Sequence, residues 1–196
     1  MSHVCLYIEG GRGLVAPFKD FIEKAVPGAR HAMQITLCAG RDDAVHDFLL
    51  GISKKPFLSH ILLIDSEGPD DGRLFESLRR TREWTKRNPD SVSGDQVFWM
   101  VQLMEAWFLA DRDALRKYYG SGLNENSLIG NPKVEEIPKL DVLDSLKNAT
   151  RDTSKGKYLK GAHAARLLGY LNPACVRSVA PNFERLLPGI QDLIGP

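Results

Sequence analysis

Apolar and polar positions change period several times along the first half of the chain. "HVCLYIE" (3–9) is rich in β-formers and ends in Glu9 and two glycines, which predicts a strand. "APFKDFIEKAV" (16–26) sets Phe18, Phe21, Ile22 and Val26 on one helical face, and the Pro-Gly that follows stops the helix. "HAMQITLCAG" (31–40) predicts a second strand and "RDDAVHDFLLGI" (41–52) a second helix. "HILLID" (60–65) is continuously apolar until its last residue, the pattern of a parallel strand covered on both faces. A charged helix over 72–87, a strand over 96–101 and a largely apolar helix over 103–119 complete the run. The order β-α-β-α-β-α-β-α predicts an α/β fold with about four mainly parallel strands and helices on both faces.

The second half changes character. "GNPKVEEIPK" (130–139) carries two prolines and reads as a connection. "LDVLDSLKNAT", "HAARLLGYL" and "PNFERLLPGIQDLI" read as short helices. The expected organisation is an α/β core over 1–129 and a helical appendage over 130–196 packed on it. The 196 residues suffice for one such unit.

Composition narrows the function classes. A net charge of +1 excludes a global basic field, so any nucleic-acid contact must come from local patches. No run of eighteen apolar residues occurs and the N-terminus reads as a strand, not a signal peptide, so neither a membrane span nor a membrane partner is expected. Cys5, Cys38 and Cys175 are an odd count without a CxxC spacing, which fits a reduced, cytoplasmic setting. Cys5 and Cys38 stand in apolar runs and are expected in the core, as are Trp99 and Trp107.

Ligands of open parallel sheets gather at the carboxyl ends of the strands. Glu9 ends the first predicted strand, Asp65 and Glu67 follow the third, and Glu105 falls just past the fourth. Carboxylates at three of four strand ends suit Mg²⁺ or Mn²⁺, which take a few such oxygens plus water and substrate phosphate. The alternative is a polar turn after a strand, since "SEGPDDG" is full of turn residues. Glu105 is flanked by Leu103, Met104, Ala106, Trp107, Phe108 and Leu109, and a carboxylate so placed needs a cation or a hydrogen-bond donor.

The glutamate-glycine end of the first strand and the later acid-x-acid pair resemble a TOPRIM domain, the module of topoisomerases, primases and OLD-type nucleases. More closely, "YIEGG", "CAGRDDAVHDF", "LLIDSEGP", "MVQLMEAWFLADRDALRKYYG" and "KGKYLKGAHAARLL" resemble a family of uncharacterised bacterial stand-alone TOPRIM-like proteins, over nearly the whole chain. The resemblance implies a TOPRIM-like Rossmannoid core, an acid/base or metal-binding role for Glu9, and metal binding by Asp65 and Glu67. The usual second acid of the pair is aspartate where this chain has Glu67, and Arg12 stands where a small or polar residue is usual. By analogy with related nucleases, an ABC-type ATPase partner and a role in phage defence are implied; a homo-oligomer is left open.

Two basic segments accompany the acids. Arg79, Arg80, Arg82, Lys86 and Arg87 read either as phosphate contacts or as a solvated helix face. Lys155, Lys157, Lys160, His163 and Arg166 lie in and beyond a glycine-rich loop, a placement suited to contacts with a nucleic-acid backbone. Arg41 is a candidate phosphate ligand or an ion-pair partner. "GGRG" (10–13) reads as a phosphate-wrapping turn or a sharp bend beside Glu9. The leading expectation is an Mg²⁺-dependent phosphodiesterase or nuclease acting on DNA or RNA. Glu9 would act in acid/base catalysis, Asp65 and Glu67 as metal ligands, and Glu105 as a further ligand or orienting group. The rivals are a non-catalytic module that binds a partner ATPase or nucleic acid, and a small-nucleotide binder or phosphotransferase using the GGRG turn.

Overall fold

Side-chain alternation along four strands sets the layering of the molecule. The computed structural model describes residues 4–11, 13–87 and 92–195. His3, at the start of the first predicted strand, and Arg12 of the GGRG stretch lie outside the described residues. β1 (Val4–Glu9), β2 (Met33–Cys38), β3 (Ser59–Asp65) and β4 (Val97–Met100) form one sheet in the order β2-β1-β3-β4, with every neighbouring pair parallel. The fold is α/β and Rossmann-like, as the element order predicts.

Right-handed crossovers then assign the helices to faces. The step from β1 to β2 runs one way across the sheet and carries α1 (Val15–Ala25) and α2 (Ala29–Ala32). The step from β2 to β3 runs back over β1, so α3 (Arg41–Lys54) covers the opposite face. The step from β3 to β4 continues that way with α4 (Leu74–Arg79) and α5 (Arg82–Arg87). Two cores result. Leu6, Ile8, Leu63 and Phe98 meet Phe18 and Phe21 of α1. Tyr7, Leu62, Ile64 and Trp99 meet Val45 and Phe48 of α3 and Trp84 of α5. Cys5 and Cys38 are buried in this second core as free thiols, as expected.

One crossover leaves the α1 face short of cover, and the rest of the chain supplies it. α6 (Ala106–Ala110), α7 (Arg112–Tyr119), α8 (Lys139–Thr150), α9 (Lys160–Tyr170), α10 (Pro173–Arg177) and α11 (Pro181–Ile194) follow β4. Trp107 of α6 joins Phe21 of α1 and Phe183 of α11, with ring centroids 5.9 Å and 5.0 Å away. The helices beyond residue 130 therefore share one continuous core with α1 and the sheet.

Several boundaries differ from the sequence expectations. The predicted helix over 103–119 is two helices, because Asp111 leaves the helix and caps α7 through Ala114 N at 3.0 Å. Its other oxygen accepts from Asn172 N at 2.8 Å and anchors the start of α10. The helix expected over 72–87 is also broken, where Thr81 Oγ1 donates to Leu78 O at 2.7 Å. β2 begins at Met33, after the single turn of α2. Among the described residues no helix is long and apolar enough to cross a membrane.

Gly51 illustrates how closely α3 is packed. A Cβ there would land on Tyr7 Oη, which is hydrogen-bonded to His60 Nδ1 at 3.1 Å. Glycine to alanine in a helix ordinarily stabilises by about 1 kcal/mol. Gly51→Ala is instead expected to destabilise by about 1–3 kcal/mol through overpacking, read by urea denaturation.

Candidate functional site

Reversal of the strand order places a crevice between β1 and β3, where the following helices depart to opposite faces. Glu9 ends β1 and Asp65 ends β3, one on each side of that crevice. Together with Lys160 and Gly161 of α9 they line a cleft of about 230 Å³. Sequence reasoning thus placed Glu9 and Asp65 at one edge, and the fold brings them together.

Asp65 is 3% exposed. Its Oδ1 accepts from Met104 N at 2.9 Å, and its Oδ2 accepts from Lys160 Nζ at 3.1 Å. Burial raises its pKa, and the Lys160 ammonium works against that rise. Glu9 is partly buried, yet its Oε2 is enclosed with no hydrogen-bond partner. Burial and then the Asp65 charge raise the pKa of Glu9, while Arg41 and Lys160 oppose the shift.

Glu105 is wholly buried, with Oε1 accepting from Tyr158 Oη at 2.8 Å and Oε2 lying 3.6 Å from Lys160 Nζ. Burial raises its pKa, and burial with the Glu105 charge keeps the Tyr158 phenol protonated. Tyr158 therefore fixes Glu105, whose Oε2 accepts no hydrogen bond and meets Lys160 as a nearby charge. A Lys160 pKa raised by Asp65 and Glu105, against the opposing effect of burial, keeps its ammonium charged.

Glu67 points elsewhere. Its backbone is left-handed at φ 66°, and so is that of Gln102 at φ 61°, the two joined by Glu67 N donating to Gln102 O at 3.0 Å. Such conformations cost non-glycine residues on the order of 1–3 kcal/mol each and persist where the surroundings enforce them. Ser66 helps enforce them, its Oγ accepting from Gln102 N at 2.7 Å. The Glu67 carboxylate is 43% exposed and paired with Lys139 outside the cleft, though its charge still raises the pKa of Glu9.

The other expected phosphate ligands separate. Arg41 Nη2 donates to the backbone oxygen of Asp65 at 2.5 Å, and its guanidinium lies 5.9 Å from the Trp99 ring centroid, so it supports Asp65 from the α3 face. His163 is buried, sharing a 2.9 Å hydrogen bond with Tyr119 Oη, and does not reach the cleft. Lys157 is exposed and lines neither this cleft nor the one beside it, whereas Lys155 lies 5.2 Å above the Tyr118 ring. Arg79, Arg80, Arg82 and Lys86 are exposed on the α3 face, while Arg87 bonds His46 at 3.2 Å. Lys139 and Tyr158 were not singled out by sequence, which offers no local signal for pairs formed across the fold.

A larger cavity of about 930 Å³ lies beside residues 69–72, but its most buried acid has a structural task. Glu135 accepts from Asn182 N at 3.0 Å and Asn182 Nδ2 at 3.1 Å, capping the start of α11. Among the described residues, no group of three His, Cys, Asp or Glu side chains is arranged to hold a metal ion. The oxygen-only donors Glu9 and Asp65, with Glu9 Oε2 unpartnered, suit a hard cation that draws its remaining ligands from water and phosphate.

A family model described as a domain of unknown function, DUF4276, matches residues 20–191. No curated protein and no solved structure matches the chain.

Proposed function

We propose that this chain, which belongs to the DUF4276 family, is a divalent-cation-dependent phosphodiesterase or nuclease of TOPRIM type. The observation that carries the reading is the meeting of Glu9, Asp65 and Lys160 in one cleft at the strand-order switch, with a buried Glu9 oxygen left unpartnered. Glu9 and Asp65 would hold Mg²⁺ or Mn²⁺, with Glu67 reaching the same ion only after release from Lys139. When bound, the cation would supply Lewis-acid stabilisation of charge building on phosphodiester oxygens.

The chain's own groups divide the remaining work. Lys160 Nζ binds a phosphate oxygen as a compact positive charge. Glu105, fixed by Tyr158, attracts that ammonium from 3.6 Å away. Glu9, its pKa raised by burial and then by the Asp65 charge, would offer its unpartnered Oε2 to the cation. Met104 N fixes the Asp65 carboxylate, and Arg41 fixes its backbone.

The test is hydrolysis of DNA and RNA oligonucleotides with Mg²⁺ or Mn²⁺. Glu9→Gln keeps the shape but not the negative charge, and is expected to slow cleavage by about 10²-fold, about 3 kcal/mol of transition-state stabilisation. Wild-type rates in that variant would sink the reading.

One observation favours a second reading, a cation-free module that binds nucleic acid without cutting it. Lys160 already offsets Asp65 and lies near Glu105. On that reading the wild type binds oligonucleotides equally in Mg²⁺ and in chelator and hydrolyses none. The ATPase partner and the phage-defence setting implied by the TOPRIM resemblance rest on no residue of this site.

A further inference from the structure

A second cleft, of about 510 Å³, adjoins the carboxylate cleft along α9. Gly13 and Pro17 at the start of α1 form one wall, and Lys117, Tyr118, Lys155, Arg166 and Tyr170 surround the opening. Ala165 lines both clefts, and the α1 wall runs on from Gly10, Gly11 and Leu14. Lys160 and Arg166 are six residues apart on α9, about 9 Å along its axis. The two clefts therefore form one groove between α1 and α9.

Charge and aromatic surface distinguish this end of the groove. Among the described residues, Lys117, Lys155 and Arg166 form no ion pair, and no acid lines the cleft. Arg116, beside Lys117 on α7, is by contrast paired with Glu125. His163 beneath them is held below its ordinary pKa by burial first, then by Arg166 and Lys155, so the positive potential reaches into the fold. Tyr170 is 49% exposed, its ring 5.9 Å from that of Tyr118. Unpaired cations repel one another, and an exposed aromatic face is costly to leave in water; an anionic chain with stackable bases relieves both.

We propose that the cleft around Lys117, Lys155, Arg166 and Tyr170 is a binding site for single-stranded nucleic acid, with backbone phosphates on the cations and a base stacked on Tyr170. A strand seated there runs along α9 toward Glu9 and Asp65. That onward path rests on the phosphodiesterase reading, whereas the binding site itself does not. Stacking requires an unpaired base, so a duplex offers this cleft its phosphates alone.

The test uses fluorescence anisotropy of the full chain in chelator, with short fluorescein-labelled oligothymidine, oligouridine and a DNA duplex, each titrated with salt. Both single strands are expected to bind more tightly than the duplex. The Lys155→Glu/Arg166→Glu pair should weaken binding to a single strand at least tenfold and reduce the salt slope by about 1.4, roughly 0.7 for each lost phosphate contact. Tyr170→Ala should weaken binding by roughly 5- to 100-fold with the salt slope unchanged. Lys54→Glu, at the far end of α3, controls for a change of net charge and should stay within about twofold, as expected for a screened, distant charge. Circular dichroism separates misfolding, and Lys155→Gln/Arg166→Gln gives a milder pair if the reversal does not fold. Unchanged affinity and slope in the charge variants, no effect of Tyr170→Ala, or a loss matched by Lys54→Glu would each overturn the proposal. Cleavage that depends on Asp65 but binding that ignores the cleft variants rejects this site and spares the phosphodiesterase reading. Cleft-dependent binding by a chain that cleaves nothing with any cation does the reverse.

Discussion

Asp65→Asn is expected to abolish divalent-cation binding in calorimetry and to slow Mg²⁺-dependent cleavage by about 10³-fold, if the cation contributes about 4 kcal/mol to the transition state. The substitution is chosen for what it retains. An asparagine Oδ1 still accepts from Met104 N, so the turn from β4 into α6 keeps its tie to β3. Arg41 still bonds the backbone oxygen of residue 65. What disappears is the negative Oδ2, the oxygen that Lys160 holds and that a hard cation requires. The amide nitrogen that replaces it faces an ammonium, and Lys160 is left to swing toward Glu105 Oε2, now 3.6 Å away. Circular dichroism should therefore be unchanged while the binding isotherm flattens. An isotherm identical to that of the wild type would place any bound cation elsewhere and leave the strained turn at Glu67 without a metal-related purpose.

The elements that local patterning could reveal were those that local patterning builds. The continuous apolar run of β3 corresponds to two real cores, with Leu63 facing one beside Leu6 and Ile8 of β1, and Leu62 and Ile64 facing the other beside Tyr7. Placing Glu9 and Asp65 at one edge needed only the rule about strand ends. A buried Glu105 demanded a partner, but its identity was hidden: Tyr158 is 53 residues away in sequence, and Lys160 is 95 from Asp65. Glu67 was drawn outward by Lys139, 72 residues on, which no acid-x-acid spacing encodes. His163 was grouped with the lysines of its basic segment as a contact for a nucleic-acid backbone, yet α9 turns it inward among Tyr118, Tyr119 and Tyr158. Residue Asp111 broke a helix that its apolar neighbours favoured, because a carboxylate that can cap α7 and hold α10 gains more outside the helix than within it.

Lys160→Met is expected to destabilise the fold by about 2 kcal/mol at neutral pH, lowering the melting temperature by roughly 6 °C for a chain of this length. Removing one partner of a fully buried pair costs about 3–5 kcal/mol, and the figure here is lower because the lysine side chain is 54% exposed. Methionine preserves most of the stem, so the loss isolates the charge. The pH dependence carries the argument. Lys160 titrates above its ordinary value of 10.5, so its stabilising charge is fully present at neutral pH and is lost only as pH rises through the folded pKa. Glu9, Asp65 and Glu105 titrate above their ordinary values, so each gains a proton in the folded state first and adds stability as pH falls through its folded pKa. Without the ammonium these acids rise further, while Arg41 and Tyr158 still face Glu9 and Glu105. The variant should therefore regain stability on acidification faster than the wild type, with a deficit in urea denaturation that is wide at neutral pH and narrows as pH falls through the raised folded pKa values of these acids. Magnesium should narrow it too, because an ion seated on Glu9 and Asp65 replaces the missing charge and stabilises the variant by mass action. A deficit indifferent to both pH and magnesium would mean that Lys160 supports the fold through its stem, and the cleft would lose its claim to exchange one cation for another.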